Sequence, residues 1–327
     1  MNNRRKLMVA VGAGARSVIV CAALAPTAVA AAYPDKPIRL IVPSASGGSP
    51  DVMSRLIANE LGKQTGQQVV VENRPGASGI IGFEAIAKAA PDGYTFGFQS
   101  FPFVTNPSLF AKLPYDTAKD FQPLIHQNFS TFLLTVSPAL PVRSVQELIE
   151  HARAQPGKLS AGFADVGAPQ FLGLELFKLM TGTKIEQISY KAIQQAITDT
   201  IAGQIQIVCD NAPSVLPHVR AGRLRALGVL TPKRSALLPD IPTIAEGGVA
   251  GFEVVPFGGY VMPANVPRDI VLRLNAEINK AFTSPAVMEK FPAAGLTIVG
   301  GTPEQYAEHL RRETAKWAEV IKRVGIK

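Results

Sequence analysis

Three kinds of chemistry are open to the side chains of this chain. A thiol nucleophile needs a base, and Cys209, at the end of an apolar run, is followed by His218, so the pair is the one hydrolytic arrangement on offer. The same cysteine reads equally as a small buried hydrophobe. A metal site needs clustered ligands, yet His126, His151, His218 and His309 are widely spaced and none shares a short ligand pattern with another or with Cys209. The third chemistry is anion binding, and it has the better sequence. Residues 38–51 read IRLIVPSASGGSPD. Ile38, Leu40, Ile41 and Val42 make a buried strand, Pro43 stops it, and Gly47 and Gly48 permit positive φ and close backbone approach. Ser49, Pro50 and Asp51 then read as N-cap, first helical residue and acidic first turn. Strand, small-residue loop and helix start leave N–H groups free beside the positive end of a helix dipole. Ser44, Ala45, Ser46 and Gly47 form the loop of this cradle. It has neither the Lys-Ser/Thr pair of a P-loop nor the spacing of a dinucleotide fingerprint, so it suits a carboxylate better than a nucleotide, and no cofactor is expected. An ordinary turn whose glycines only make the bend accounts for the same residues.

The elements that must position this loop follow in order. A helix over about 49–62, a strand over 67–72 (QQVVVE), a break at Asn73-Arg74-Pro75-Gly76, a helix through Ala90 and a strand over 94–99 (YTFGFQ) make a β-α-β-α-β unit. Right-handed crossovers bring the loops after Val42, Glu72 and Gln99 to one sheet edge, where open α/β proteins bind ligands. Residues 107–123 read as a surface excursion. A second α/β unit begins near Thr131. Ser144 with Glu147 predicts a capping box, the strand 159–163 leads into the loop ADVGAP, and a helix over 170–180 follows. Strands near 185–190, 205–209 and 224–230 complete the unit. Phe252 to Met262 reads as one long extended segment, and Thr302, Pro303 and Gln305 open a last helix that Trp317 packs onto the body. Two crossing segments, near 128–135 and 252–261, would join two lobes as a hinge.

Arg4, Arg5 and Lys6 before an apolar stretch, with small residues at Ala28, Ala30 and Ala32, predict a signal peptide over 1–32 and a mature start at Tyr33. Val20 is too bulky for lipoprotein processing at Cys21. Removing Arg4, Arg5, Lys6 and Arg16 from the 33 Lys and Arg, against 25 Asp and Glu, lowers the formal charge from +8 to +4. No basic stripe interleaved with aromatics is left, so nucleic acid is not expected as a partner. One remaining thiol makes no internal disulfide, and a chain of this length can bury enough core without one.

The strings PDKPIRLIVPSASGGSPDVMSRLIANEL, VVVENRPGASGIIGFEAIAKAAPDGYTFGF and NPSLFAKLPYDTAKDFQPL, followed by ISYKAIQQAITDTIAGQIQIV, RAGRLRALGVLTPKRSALLPDIPTIAEGG and VMPANVPRDIV, resemble the substrate-binding receptors of tripartite tricarboxylate transporters, the TctC or Bug family. The likeness covers essentially the whole chain after residue 32. It implies a periplasmic receptor of the type II periplasmic binding protein fold, α/β throughout. Two α/β lobes, 33–130 with 255–327 and 131–254, would flank a ligand cleft and serve a membrane permease. Carried over by motif, the ligand loops are Ser44, Ala45, Ser46 and Gly47, then Ser78 and Gly79, then Ser100. Facing them are Phe163, Ala164, Asp165, Val166 and Gly167, with Tyr190 and Asp210 nearby.

Departures from the family pattern set the ligand expectation. Ser44-Ala45-Ser46 replaces an aromatic and proline run, Phe163 and Ala164 replace serines, Phe171 a histidine and Phe257 a tryptophan. These changes favour a carboxylate with a ring or alkyl body over citrate. Asp165 would bind a ligand amine, or else make a loop hydrogen bond. A sensory receptor signalling to a membrane kinase is the alternative role. A monomer is expected because a hinge must move.

Overall fold

Ile38, Leu40, Ile41 and Val42 are all essentially inaccessible to solvent, and burial on both faces makes residues 38–42 a central strand. In the computed structural model, which describes residues 33–235 and 238–326, this strand, β1 (Ile38–Val42), pairs in parallel with β2 (Val69–Asn73) and β3 (Thr95–Gln99). The expected leader, residues 1–32, lies outside the described residues. Helices α1 (Ser49–Thr65) and α2 (Ile80–Ala87) make the crossovers. The rest of the first sheet is antiparallel. β10 (Phe257–Pro263) pairs with β3, β4 (Phe121–Ser130) with β10, and β11 (Leu296–Gly300) with β4, giving the order β11-β4-β10-β3-β1-β2. After β3 comes α3 (Pro102–Leu109), and α8 (Arg268–Phe282), α9 (Pro285–Ala293) and α10 (Pro303–Val324) return late in the chain to this sheet's side of the molecule.

The second sheet has the order β7-β6-β8-β5-β9. It comprises β5 (Phe132–Val136), β6 (Leu159–Phe163), β7 (Ile185–Ser189), β8 (Ile207–Asn211) and β9 (Arg225–Val229), with β7, β6 and β8 parallel. Its helices are α4 (Val145–Ala154), α5 (Pro169–Thr181), α6 (Ile193–Ile201) and α7 (Ala212–Arg220). The chain passes between sheets at Ser130–Thr131 and again just before Phe257, and the two crossings touch: Ser130 N–H donates to Pro256 C=O at 2.8 Å. Among the described residues no helix is long and apolar enough to cross a membrane.

Several boundaries differ from the sequence expectation. The N-cap of α1 is Gly48, one residue earlier than Ser49, and no side chain caps it; Asp51 in the first turn instead accepts from Gly47 N–H. The expected excursion, 107–123, begins inside α3, a two-turn helix with Pro107 near its end, and β4 begins at Phe121, before that excursion's expected end. The long extended segment is a strand only from Phe257, since Pro256 brings no N–H to a ladder. The capping box of α10 forms with Thr302 and Gln305, and Trp317 is fully buried edge-on against Phe101 at 5.0 Å.

Candidate functional site

The loops at the facing edges of the two sheets enclose a cavity of about 440 Å³. Four helices begin beside it, and each carries a proline at its first or second position: Pro50 in α1, Pro102 in α3, Pro169 in α5 and Pro213 in α7. Proline costs nothing there, because the N–H it lacks has no helical partner, and it holds the chain at the turn into the helix. Ser44, Ser49 and Ser100 line the first-lobe side, and Ala168, Gln170 and Asn211 the second-lobe side. Met53, Phe98, Phe101, Phe132 and Phe257 supply an apolar wall, with Phe101 and Phe257 edge to face at 6.1 Å. No Lys, Arg or His lines the cavity among the described residues. What it can offer an anion is therefore peptide N–H groups, hydroxyls and amides rather than a cationic side chain.

The helix starts are not equivalent. At α7 the Asn211 side chain accepts from Ser214 N–H at 3.1 Å, so that end is capped from within. At α1, Asp51 accepts from Gly47 N–H at 2.8 Å and from Ser46 Oγ at 3.3 Å, and is itself held by Arg55 at 2.9 Å and Asn73 Nδ2 at 3.0 Å. Burial raises the Asp51 pKa, but these donors outweigh it and hold the carboxyl at about 2. The protein's own carboxylate thus occupies part of the cradle. No side chain caps Gly48 at α1, Phe101 at α3 or Ala168 at α5, so these three helix starts meet the cavity without a side-chain cap, although Asp51 already takes Gly47 N–H just ahead of α1.

Three buried polar atoms in or under this wall have no partner among the described residues: Ser44 Oγ, Gln170 Oε1 and Asp210 Oδ2. Buried atoms of this kind are costly unless something completes them. Asp210, at the end of β8, is 1% exposed; its Oδ1 accepts from Gln170 Nε2 at 3.2 Å, and burial pushes its carboxyl up to about 6.

At the rim the lobes are bridged. Ser78 Oγ donates to Asp165 Oδ1 at 2.9 Å, Gly167 N–H donates to the same oxygen at 2.8 Å, and Thr105 Oγ1 donates to Gly167 C=O at 3.1 Å. Ser78 sits at φ +51°, a left-handed conformation that costs a non-glycine residue about 1 to 2 kcal/mol. Asn106 Nδ2 donates to Ser78 C=O at 3.0 Å and steadies the turn.

Of the residues singled out from sequence, Ser44 and Ser100 line the cavity. Ala45, Ser46 and Gly47 lie in the adjoining loop, outside the lining. Ser78, Asp165 and Gly167 meet at the rim, where Asp165 makes a loop bond and a bridge together. Gly79 lies under Phe83, whose ring a Cβ would meet at 2.8 Å. Ala164 and Val166 are exposed. Phe163 and Phe171 pack on one another at 4.6 Å, and Tyr190 donates to Asp199 at 2.9 Å, all three outside the lining. Asp210 reaches the cavity only through Gln170. Sequence reasoning passed over Gln170, Asn211, Met53, Phe98, Phe101 and Phe132. The signal for Gln170 was its place directly after ADVGAP, at the first turn of the helix rather than in the loop.

The Cys209 thiol is 5% exposed, and burial, with Asp210 adjacent, pushes it up to about 12, away from the thiolate a nucleophile needs. No group of three or more His, Cys, Asp or Glu able to hold a metal ion occurs among the described residues.

Known proteins match this architecture along its length. BugT of Bordetella pertussis (strain Tohama I) is 38% identical over 311 residues, covering 94% of this chain and 95% of its own. Among solved structures, R. palustris Rpa4515 with adipate has 37% identity and a TM-score of 0.81, covering 90% of this chain and 98% of that one. MatC from Rhodopseudomonas palustris with bound malate has 27% identity and a TM-score of 0.76, covering 88% and 100%. The family model described as "Tripartite tricarboxylate transporter family receptor" matches residues 53–326. With a two-sheet fold enclosing a dipole-lined cavity and a family match over most of its length, the chain belongs to the tripartite tricarboxylate transporter receptors, the TctC or Bug solute-binding proteins.

Proposed function

We propose that this chain is a periplasmic receptor that captures a small carboxylate with an alkyl or ring body by lobe closure and delivers it to a tripartite tricarboxylate-type permease. The observation that carries the reading is the cavity itself. Three helix N-termini without a side-chain cap, with Ser44 and Ser100, offer donors, while Met53, Phe98, Phe101, Phe132 and Phe257 offer a dry wall for a hydrocarbon body. The adipate and malate bound by two relatives are small carboxylates, which supports the class. One helix terminus contributes about 0.3 to 2 kcal/mol to an anion, against the roughly 8 kcal/mol of micromolar binding. Charge-assisted hydrogen bonds at about 1.5 to 3 kcal/mol each, with apolar burial between closing lobes, make up the difference.

The test is a thermal-shift screen of the purified chain from Tyr33 onward against citrate, C4 and C6 diacids, acidic amino acids, and benzoate- and nicotinate-like acids. A ligand at a hundred times its Kd stabilises the fold by about 2.7 kcal/mol, an easily read shift. Alkyl or aromatic acids are expected to raise the melting temperature and citrate to leave it unchanged. A response to citrate alone would refute the ligand class.

A further inference from the structure

We infer that Gly295 and Pro213 form the joint on which the two lobes close, and that the missing side chain at 295 is what admits the closed arrangement. The inference rests on the receptor reading above and names the residue pair that sets its closing angle.

Gly295 lies in the turn between α9 and β11, on the side of the first sheet, and Pro213 in the first turn of α7, on the side of the second. One residue of the first crossing ties both. Thr131 N–H donates to Gly295 C=O at 3.3 Å, and Thr131 C=O accepts from Ala212 N–H at 2.8 Å. The turn and the helix start are thus held to the crossing segment, about which a hinge between lobes must rotate. Gly295 has φ +68°, and a Cβ built on it would stand 2.7 Å from Pro213 Cδ and 3.0 Å from Pro213 Cγ. The proline ring is locked to its own backbone and offers no rotamer that clears the overlap. To restore the roughly 3.5 to 4.0 Å of an ordinary carbon contact, the two elements must part by about 1 Å.

The place of the joint decides which way they part. Successive residues of extended segments point to opposite faces. Phe132, Pro256 and Leu296 line the cavity, whereas Thr131, Val255 and Thr297 line a pocket of about 510 Å³ on the other face of the crossings. Ala294 and Leu296, on either side of Gly295, both belong to the cavity, as does Asn211 just before α7. The joint is therefore on the cavity side of the hinge, where a wedge opens the cleft. The Ser78–Asp165 bridge shows the rim shut at the present lobe angle, and that angle leaves no room for a β-carbon at 295.

Double electron–electron resonance on the chain from Tyr33 onward reads the angle. Spin labels go on Val70→Cys in β2 and Ile188→Cys in β7, exposed positions on edge strands of the two sheets, in a Cys209→Ala background. The native chain, alone or with adipate, is expected to show a short-distance population. Gly295→Ala is expected to lengthen the distance by more than the roughly 1 Å of the overlap, because the labels stand further from the axis than the joint does. Adding Pro213→Ala is expected to restore the native distance, while the melting temperature stays depressed by the left-handed strain that remains at 295. A purely structural role for Gly295 would lower the melt and leave the distance alone. Ala212→Val loads the same joint from α7 without touching a left-handed residue, keeps the test open should Gly295→Ala fail to fold, and is also expected to lengthen the distance. An unchanged distance in folded Gly295→Ala or in Ala212→Val, or no recovery on adding Pro213→Ala, overturns the joint. A native chain with no short-distance population in the presence of any acid of the thermal screen would instead overturn lobe closure, the reading on which the joint rests.

Discussion

His126 and His309 stack face to face at 4.5 Å, inside a ring of Phe129, Phe257 and Tyr306, and the Nε2 of each is buried without a partner among the described residues. Burial first, and then His309, lowers the His126 pKa to about 3. Burial, with Arg312 and Lys316 nearby and opposed by Glu253, lowers that of His309 to about 4. Both are neutral in the native protein, whereas the unfolded chain protonates them below about 6.5. The unfolded state then binds more protons, so stability falls as pH falls through that value, by roughly 2 kcal/mol per histidine between pH 7 and 5. Asp210 works the other way. Its carboxyl is raised by burial to about 6, so the native state gains a proton first. That returns about 1 kcal/mol over the same interval. The balance is a loss of about 2 to 3 kcal/mol on going from pH 7 to 5, and His126→Phe should remove about 2 kcal/mol of it. Equilibrium urea denaturation at half-unit steps from pH 5 to 7 measures the slope. The slope carries the test rather than the level, because a phenyl ring changes packing at every pH alike. A His126→Phe profile parallel to the native one would refute the argument.

Gly47 has φ +83° and no atom within 4 Å of a Cβ placed on it, so Gly47→Val perturbs the backbone rather than packing. Its strain of about 1 to 2 kcal/mol should loosen the Asp51 bond and lower ligand affinity about tenfold, more than Arg55→Ala or the loss of any other single arginine. Calorimetry showing an equal or smaller loss at Gly47 would remove the backbone cradle from the account. At the rim, Asp165→Ala deletes the Ser78 bridge without touching the strained turn, while Ser78→Gly deletes it and relieves the turn. The bridge is partly solvated and contributes about 1 kcal/mol, so each variant should raise the open population about fivefold and enlarge the unliganded radius of gyration in small-angle scattering. Only Ser78→Gly should also melt higher, and unchanged radii in both would show that the bridge holds nothing shut.

The part of the fold legible in the sequence was the part where local signals agree. Residues 38–99 alternate apolar runs with Gly, Pro and Asp-Gly breaks, and they form strand and helix in that order. Thr302 and Gln305 announce a capping box and form one. At Ser144 the box is shifted: Glu147 Oε2 accepts from Arg143 N–H at 2.6 Å, though Ser144 still caps Glu147 N–H. α3, α9 and β11 were missed because each is short and its edges are set by packing, of α3 against α10, of β11 against β4 and of α9 against β11 and α1, not by periodicity. The same holds for the site. A glycine loop after a strand can be read locally, but which side chains face a cavity between lobes depends on how residues more than a hundred positions apart meet. Hence the aromatic wall is Phe98, Phe101, Phe132 and Phe257, while Phe163 and Phe171 pair in the second lobe's interior.

A cavity that, among the described residues, is lined without a single cationic side chain has a kinetic meaning as well. An anion held by an arginine leaves only when a buried ion pair is parted and both charges are rehydrated. Under the proposed function the partners would be peptide dipoles and hydroxyls fixed in the fold, which need no counter-charge when the guest departs. On that reading residence time would be governed by how long the lobes stay together, and opening them would be enough to empty the site. A receptor built this way releases its cargo by moving, and whatever opens it commands the release.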